Sequence, residues 1–259
     1  MLRAVIFDYG NTLIGIDPST PSARTDYADV VARPGAERLA SHLAKRGLLE
    51  PHAERQRFID LFLETRERNR LAAEETGNEI SAEASLAEAL ANAGSPPAET
   101  ALIREAIAVN FSAEEERIVA LAGAMETLQA LREAGVRIGL LSNATDGRYV
   151  ERVAVRLGMR PFFDPFIVSA DIGVRKPRSE AYRAVLDRWP LPAEEVAMVG
   201  DSLYHDVGGA NRLGLYSVHF TQIANPGDRA FRDPIVPRTA ASSHAALRAA
   251  LMPLLDAAP

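Results

Sequence analysis

The hydrophobic positions of the chain follow two patterns, and the change between them divides the sequence. The first apolar run, Leu2 to Phe7, is rich in β-branched and aromatic residues and ends at Asp8, before a Gly-Asn pair. Such a run predicts a buried strand that leads into a loop. A polar, proline-containing stretch follows and reaches about Pro34. After it, apolar residues recur every three or four positions among Glu and Arg, which predicts amphipathic helices.

Four helices are predicted between about residues 35 and 118, and nothing in this segment predicts a strand. The apolar faces of the first three contain Leu39, Leu43 and Leu48, then Phe58, Leu61, Phe62 and Thr65, then Leu86 and Leu90. Ser81, followed by Glu83, begins the third helix. The Gly-Ser-Pro-Pro sequence at residues 94–97 ends it, and residues 101–109 form the fourth. The segment is predicted to be an all-helical insertion.

From residue 124 onward, helical patterns alternate with short apolar runs. The predicted strands cover residues 136–141, 165–169, 196–200 and 215–220, and the predicted helices cover residues 124–134, 149–157, 179–188 and about 244–255. Strands that alternate with helices of this length predict a parallel sheet with right-handed crossovers. With the first strand, the sequence predicts an α/β fold with at least five parallel strands.

Composition excludes several classes of function. The net charge is −6, whereas binding to duplex nucleic acid needs a concentrated basic face. Cysteine is absent, so disulfides, thiolate metal sites and thiol chemistry are excluded. No apolar stretch is long enough to span a membrane, and residues 1–15 do not resemble a signal peptide. We therefore expect a cytoplasmic protein that binds neither nucleic acid nor a membrane. Its oligomeric state stays open.

Polar residues stand at the ends of the predicted strands. Asp8 ends the first strand and Asp201 the fourth, Ser142 and Asn143 end the second, and Lys176 lies in a loop after the third. Two carboxylates at one sheet edge repel each other unless a hard cation such as Mg²⁺ lies between them. A hydroxyl and a lysine beside them would bind the oxygens of a tetrahedral dianion. Because a carboxylate can also form an acyl phosphate, the set indicates phosphoryl transfer or a related displacement.

These residues fall into four ordered motifs. The motifs are Phe7-Asp8-x-x-x-Thr12-Leu13, Leu140-Leu141-Ser142-Asn143, Lys176-Pro177, and Val199-Gly200-Asp201-Ser202-x-x-x-Asp206. In this order they resemble the motifs of the haloacid-dehalogenase-like hydrolase superfamily, and the helical insert lies where subfamily I has its C1-type cap. The resemblance implies a Rossmann-like core formed by residues 1–15 and 120–259, with a helical cap at 16–119.

The resemblance also implies roles for individual residues. Asp8 would be the nucleophile. The ligands of Mg²⁺ would be Asp8, the Gly10 carbonyl, Asp201 and Asp206. Ser142 and Lys176 would contact the phosphate, and Thr12 and Asn143 would contribute to substrate binding. Asp206 would bind through water or orient its neighbours. Lysine occurs only at positions 45 and 176, so composition alone would have placed an arginine in the third motif.

Gly10 departs from the family pattern. In the family's phosphatases, the residue two positions after the nucleophile is an aspartate that protonates the leaving alkoxide and later activates water. Glycine can do neither, and general acid-base catalysis typically contributes about 10²- to 10⁴-fold. Tyr9 is a poor substitute because adjacent side chains at a strand end point in opposite directions. Other possible donors are His205, His42 and His52.

Three interpretations follow from this departure. In the first interpretation, the chain is a Mg²⁺-dependent phosphatase that acts on a small anionic metabolite through an aspartyl phosphate. Alternatively, it is a C–P hydrolase that uses Lys45 for an imine, or a dehalogenase, although dehalogenases have a tyrosine at the position of Gly10. The third interpretation is a regulatory protein that binds phosphate or metal without turnover. The arginines at positions 55, 57, 66, 68 and 70 are expected to form a solvated face with neighbouring glutamates.

Overall fold

The computed structural model describes residues 1–19, 28–49, 53–223, 225 and 234–255. Contacts between residues divide the chain into two compact units. One consists of Met1–Gly15 together with Val119–Pro259, and the other is Ile16–Ile118.

The first unit is built on a six-stranded parallel sheet. Its strands are β1 (Ala4–Phe7), β4 (Arg137–Ser142), β5 (Phe166–Val168), β6 (Val196–Gly200), β7 (Tyr216–Phe220) and β8 (Thr239–Ala241). Their order across the sheet is β5-β4-β1-β6-β7-β8. Strand β1 is completely buried and pairs with β4 on one side and β6 on the other. The predicted α/β fold with a parallel sheet is thus confirmed. Strand β8 was not predicted, because three small residues form no apolar run.

Helices cover both faces of this sheet. They are α5 (Ala124–Glu133), α6 (Gly147–Arg156), α7 (Ser169–Ile172), α8 (Ser179–Leu186), α9 (Gly209–Leu213) and α10 (His244–Leu251). Helix α6 begins two residues before its predicted start at Tyr149. The side chain of Asp146 explains the difference, since it accepts hydrogen bonds from the amides of Arg148 and Tyr149 and so caps the first turn.

The second unit is helical, as the sequence predicted. Its helices are α1 (Arg33–Lys45), α2 (Ala53–Thr76), α3 (Ala82–Asn92) and α4 (Thr100–Glu115). Ser81 caps α3 through the amide of Ala84, which confirms the predicted start of that helix. Leu48 lies beyond the end of α1.

The strands β2 (Ile14–Ile16) and β3 (Ile118–Ala120), which the sequence did not predict, form a separate two-stranded sheet.

The arginines of α2 behave largely as a solvated face. Arg70 pairs with Glu67 at 2.8 Å, and Arg68 pairs with Glu88 at 2.5 Å, with all four side chains exposed by more than two fifths. Arg66 instead lies over an aromatic ring, 5.2 Å from the ring centre of Phe111.

Over the part of the chain that the structure describes, no helix has both the length and the apolar composition needed to cross a membrane.

Candidate active site

The polar residues predicted for the site lie at one edge of the parallel sheet. Phe7, the last residue of β1, is in register with Leu140 of β4 and Val199 of β6. The next residue, Asp8, extends this arrangement, because its amide donates to the carbonyl of Val199 at 2.9 Å. The carboxyl ends of the three strands therefore bring Asp8 and Ser142 to the same edge as the residues that follow β6.

Lys176 joins two of the carboxylates at this edge. Its ammonium nitrogen lies 2.7 Å from Asp8 Oδ1 and 2.7 Å from Asp206 Oδ1, and the lysine is only 1% exposed. Burial disfavours the ammonium form, but Asp206 and Asp8 outweigh it, so the pKa of Lys176 is raised. Burial likewise raises the pKa of Asp8, although the adjacent ammonium opposes the rise. The lysine is held in its charged form between the two aspartates.

Asp201 adds a third carboxylate to this group. Oxygen atoms of Asp8, Asp201 and Asp206 lie within 4.8 Å of one another, and all three residues are buried. Burial, followed by repulsion from Asp8 and Asp206, raises the pKa of Asp201 to about 8. Asp8, Lys176, Asp201 and Asp206 are called the charged cluster below. Three carboxylates face one ammonium, so a further cation would balance the negative charge of the cluster.

The hydrogen bonds within the cluster show which carboxylate oxygens already have donors and which could bind a cation. Asp206 Oδ1 accepts from Lys176, and Asp206 Oδ2 accepts from the amide of Ser202 at 3.0 Å. Asp201 Oδ2 accepts from the side chains of Asn11 and Asn225, at 3.2 and 3.1 Å.

Asp8 Oδ2 lies 3.4 Å from Thr12 Oγ1, which is a long contact. Among the described residues, no hydrogen bond to Asp201 Oδ1 is formed. Asp8 and Asp201 thus offer the carboxylate oxygens that Mg²⁺ prefers, and the residues present fit that ion. Both oxygens of Asp206 already accept hydrogen bonds, which suits the orienting role that was one of its two predicted roles.

The turn of residues 9–14 follows Asp8 and is called the Asp8 turn. The carbonyl of Tyr9 accepts from the amides of Leu13 and Ile14, at 2.9 and 3.1 Å. Asn11 has a φ of 53°, and among the described residues no other non-glycine residue has a positive φ. A single residue in the left-handed region is tolerated best by glycine, asparagine or aspartate. Hydrogen bonds between backbone groups of residues 9–14 therefore set the path of this turn.

Gly10 is exposed, and the space around it is open. A Cβ atom added there would meet no atom within 4 Å, and the backbone of Gly10 lies outside the left-handed region. Tyr9, next to it, is buried, and no described residue hydrogen-bonds its hydroxyl. Burial raises the pKa of Tyr9 above its ordinary value, so the phenol is a weak proton donor. The backbone at position 10 could therefore carry a Cβ atom without rearrangement.

Asn143 holds the loop that carries Lys176. Its amide nitrogen donates to the carbonyl of Lys176 at 2.9 Å, and its amide oxygen accepts from the amide of Lys176 at 2.8 Å. This pairing uses both polar groups of the side chain, so Asn143 supports the loop. The hydroxyl of Ser142, at the end of β4, is buried beside it and stays a predicted phosphate ligand.

The loop that carries Asp206 depends on two close contacts. A Cβ atom on Gly200 would overlap the carboxylate of Asp206, so only glycine allows that carboxylate to fold back against β6. The hydroxyl of Tyr182 donates to the carbonyl of His205 at 2.6 Å and lies 3.1 Å from that of Asp206. Tyr182 was not predicted as a site residue, because on an apolar helix face it reads as a core residue. Asn11, which reads as a turn residue, was also missed.

The histidines predicted as alternative proton donors, and Lys45, lie in different parts of the chain. His205 Nδ1 lies 3.2 Å from Ser202 Oγ, next to the charged cluster in sequence. His42 lies in the helical unit, 3.5 Å from Glu105, and Lys45 is exposed at the end of α1. His52 lies outside the described residues.

Comparisons with known proteins agree with this geometry. The family model described as haloacid dehalogenase-like hydrolase matches residues 2–214. A glyceraldehyde 3-phosphate phosphatase of Pyrococcus abyssi is 36% identical over 98 residues, which are 38% of this chain and 41% of that protein. A phosphoserine phosphatase of Thermus thermophilus is 30% identical over 141 residues, covering 54% of this chain and 55% of that protein. The chain thus spans about half or less of the length of these relatives.

Solved structures show the same fold over nearly the whole chain. A 2-haloacid dehalogenase of Pseudomonas syringae superposes with a TM-score of 0.69 at 23% identity, covering 98% of this chain and 100% of that one. A HAD phosphatase of Thermococcus onnurineus gives a TM-score of 0.59 at 18% identity, with coverage of 96% and 98%. At these identities the similarity shows the fold alone.

Proposed function

We propose that this chain, which belongs to the haloacid dehalogenase-like hydrolases, is a Mg²⁺-dependent phosphatase acting on a small phosphorylated metabolite through an aspartyl phosphate on Asp8. The family match confirms the resemblance inferred from the four motifs. The observation that carries the proposal is the position of Lys176, buried and 2.7 Å from Asp8, in a cluster that has two further carboxylates. Buried ion pairs are weak contributors to stability, so a functional reason for the cluster is favoured.

The residues of the cluster suit an in-line displacement. A carboxylate oxygen of Asp8 attacks phosphorus, the bond from phosphorus to the leaving oxygen breaks, and that oxygen takes the electron pair. Water then attacks phosphorus, the bond to Asp8 breaks, and inorganic phosphate and the free carboxylate are released. Lys176 and the hydroxyl of Ser142 would contact the phosphate oxygens throughout.

Asp8, the Gly10 carbonyl and Asp201 would hold Mg²⁺, with Asp206 orienting Lys176. When bound, this ion would offset the negative charge of the phosphate and the carboxylates. Thr12 would fix the orientation of Asp8, and Asn143 that of Lys176. We also propose that residues 16–119 serve as the family's cap and select the substrate.

Gly10 limits the substrates that this site can use. No side chain at this position protonates the leaving oxygen, so the site favours a leaving group that departs as a stable anion. Aryl and acyl phosphates meet this condition, whereas alkyl phosphates need the missing acid. We therefore propose a substrate with a good leaving group.

The test is hydrolysis of p-nitrophenyl phosphate with and without Mg²⁺. We expect slow, Mg²⁺-dependent release of nitrophenolate and loss of this activity in Asp8→Asn. The control is Asp187→Asn, which neutralises an exposed carboxylate outside the charged cluster and should retain the parental rate. Equal rates for Asp8→Asn and the parent protein would exclude the proposed mechanism.

Gly10→Asp tests the missing acid directly. Because the space at position 10 is open, we expect the variant to fold and to hydrolyse glycerol phosphate, which the parent hydrolyses poorly. Gly10→Asn, of the same size but without an acidic proton, is the matched control and should leave alkyl phosphates resistant.

The two alternative interpretations predict other outcomes in these assays. A regulatory protein would bind phosphate in the presence of Mg²⁺ without turning over either ester. Release of acetaldehyde from phosphonoacetaldehyde, or of halide from a 2-haloacid, would instead identify a C–P or C–halogen hydrolase. The same set of assays thus separates the three interpretations.

A further inference from the structure

His244 is a buried histidine outside the region that the family model matches. It is the first residue of α10, and no part of it is exposed to solvent. The family match ends at residue 214, so neither the four motifs nor the match gives this residue a role. A buried titratable side chain at the start of the last helix calls for a physical reason.

The ring of His244 connects α10 to the Asp8 turn. Its Nε2 atom lies 2.9 Å from the carbonyl oxygen of Thr12, and its Nδ1 atom lies 3.1 Å from the hydroxyl of Thr127 in α5. A carbonyl oxygen only accepts hydrogen bonds, so Nε2 carries the hydrogen. Phe220, 4.7 Å away between ring centres, packs against the ring. The histidine is thus fixed on several sides.

The surroundings of Nδ1 favour a neutral ring. The hydroxyl of Thr127 accepts from Arg248 at 3.0 Å, and its own hydrogen can be donated to Nδ1 or to the carbonyl of Gly123, which lies 2.9 Å away. A proton on Nδ1 would place the positive charge of an imidazolium beside the guanidinium that binds the same hydroxyl. Gly123 permits this close packing, because its φ is 84° and a Cβ atom there would lie 2.9 Å from the Cβ of His244.

Thr12 is the residue through which this contact reaches the charged cluster. It is fully buried, its hydroxyl lies 3.4 Å from Asp8 Oδ2, and its carbonyl is the one that His244 holds. The Asp8 turn has other hydrogen bonds to residues outside it, from the amide of Leu121 to the carbonyl of Leu13 at 2.9 Å and from the side chain of Asn11 to Asp201 at 3.2 Å, and neither involves Thr12. A shift at the Thr12 carbonyl would move both the turn and the hydroxyl beside Asp8.

We propose that His244 is a positioning residue, which uses its neutral Nε2–H to hold the Thr12 carbonyl and so fixes the Asp8 turn in its reactive geometry. The C-terminal helix is then part of the active-site framework. The effect on turnover rests on the proposed function, whereas the effect on the turn does not.

The test compares three variants. His244→Phe keeps a ring against Phe220 but removes the donor, and His244→Gln can place an amide nitrogen near the position of Nε2. Leu247→Ala, on the same helix and fully buried, removes packing without removing the hydrogen bond, and so is the matched control. All are assayed with p-nitrophenyl phosphate and Mg²⁺, well below their unfolding temperatures.

We expect His244→Phe to lower kcat by about 10- to 100-fold, because a small displacement of a reacting group has effects of this size. KM should change by no more than about 3-fold, because substrate contacts are kept. His244→Gln should recover most of the rate, and Leu247→Ala should keep it. A parental kcat in His244→Phe, or an equal loss in Leu247→Ala, would overturn the proposal.

Amide hydrogen exchange gives a readout that needs no turnover. The amides of Leu13 and Ile14 report on the Asp8 turn, since both donate to the carbonyl of Tyr9. Their exchange should accelerate by about 10-fold or more in His244→Phe, as local opening becomes easier, but not in Leu247→Ala. Unchanged exchange in His244→Phe would overturn the proposal. Absence of phosphatase activity in the parent would count against the proposed function only.

Discussion

The charged cluster and the Asp8 turn lie next to each other but are built by different means. In the cluster, Lys176 and Asp206 hold each other through side-chain contacts of 2.7 Å between buried groups. In the turn, position 10 has no side chain, and most contacts are made by backbone groups, which bond to one another, to the amide of Leu121 and to His244. The cluster therefore keeps the charges that phosphoryl transfer needs, whereas the turn lacks the acid. In the proposed reaction, binding the phosphate and expelling its leaving group would therefore depend on different regions of the site.

The largest expected effect comes from removing the central cation of the cluster. Lys176→Met leaves the carboxylates of Asp8 and Asp206 buried without their positively charged partner, and breaking a buried pair in this way costs about 3 to 5 kcal/mol. Urea unfolding at pH 7 without Mg²⁺ measures this loss, which should shrink at acidic pH as the carboxylates take up protons. Aryl phosphatase activity should also be lost.

Arg70→Met is the matched comparison for that variant. It removes an exposed pair with Glu67, and such pairs contribute about 1 kcal/mol or less. Equal losses of stability in the two variants would mean that burial of Lys176 has no energetic consequence.

The second effect concerns His244, which holds the Asp8 turn, and its contribution to the pH dependence of the free energy of unfolding. Burial, then the nearby guanidinium of Arg248, lowers the pKa of His244 to about 4, while the Thr12 carbonyl and Glu126 oppose the fall. Between pH 6.5 and about 4, the unfolded chain binds a proton on this residue that the folded chain does not. The free energy of unfolding should therefore decrease as pH falls through this window, by up to about 3 kcal/mol.

His244→Gln isolates this contribution, because glutamine does not titrate. We expect its free energy of unfolding to fall less steeply than that of the parent between pH 6.5 and 4. Parallel curves for the two proteins would show that His244 does not contribute to acid sensitivity.

Much of the cluster was predictable from the sequence, and little of the anchoring was. Asp8, Lys176 and Asp201 stand out as polar residues after apolar runs, and parallel strands place such residues at one edge. His244 contacts Thr12 across 232 positions, and no local pattern indicates that pairing. Asn225 is another example, since it reads as an ordinary loop residue but donates to Asp201. Strand ends follow from hydrophobic periodicity, whereas the contacts that fix a turn depend on tertiary packing.

The third effect separates the metal site from the rest of the cluster. The pKa of Asp201 is raised to about 8, chiefly by burial, so at pH 7 without a cation this carboxyl largely carries a proton. Asp201→Asn resembles that neutral form, so without Mg²⁺ its loss of stability should be smaller than that of Lys176→Met. Saturating Mg²⁺ should stabilise the parent by about 2.7 kcal/mol at 100 times its Kd, but not the variant.

Thermal unfolding with and without Mg²⁺ measures this difference, and Ca²⁺ provides a comparison of ion size. An equal Mg²⁺-induced rise in Tm for parent and variant would remove Asp201 from the set of metal ligands.

The smallest effect compares two glycines, one in each region. An alanine at Gly200 would place its Cβ against the carboxylate of Asp206, whereas at Gly10 it would meet nothing within 4 Å. Overpacking of this kind costs about 1 to 3 kcal/mol, so Gly200→Ala should be destabilised by that amount in urea unfolding. Gly10→Ala should be neutral or more stable by up to about 1 kcal/mol, because alanine reduces the freedom of the unfolded chain.

The same pair should differ in Mg²⁺ affinity, since only Gly200→Ala displaces Asp206 and, through it, Lys176. If Gly10→Ala were instead the more destabilised variant, the turn rather than the cluster would be the tightly packed region, and the open space proposed for a restored acid would not exist.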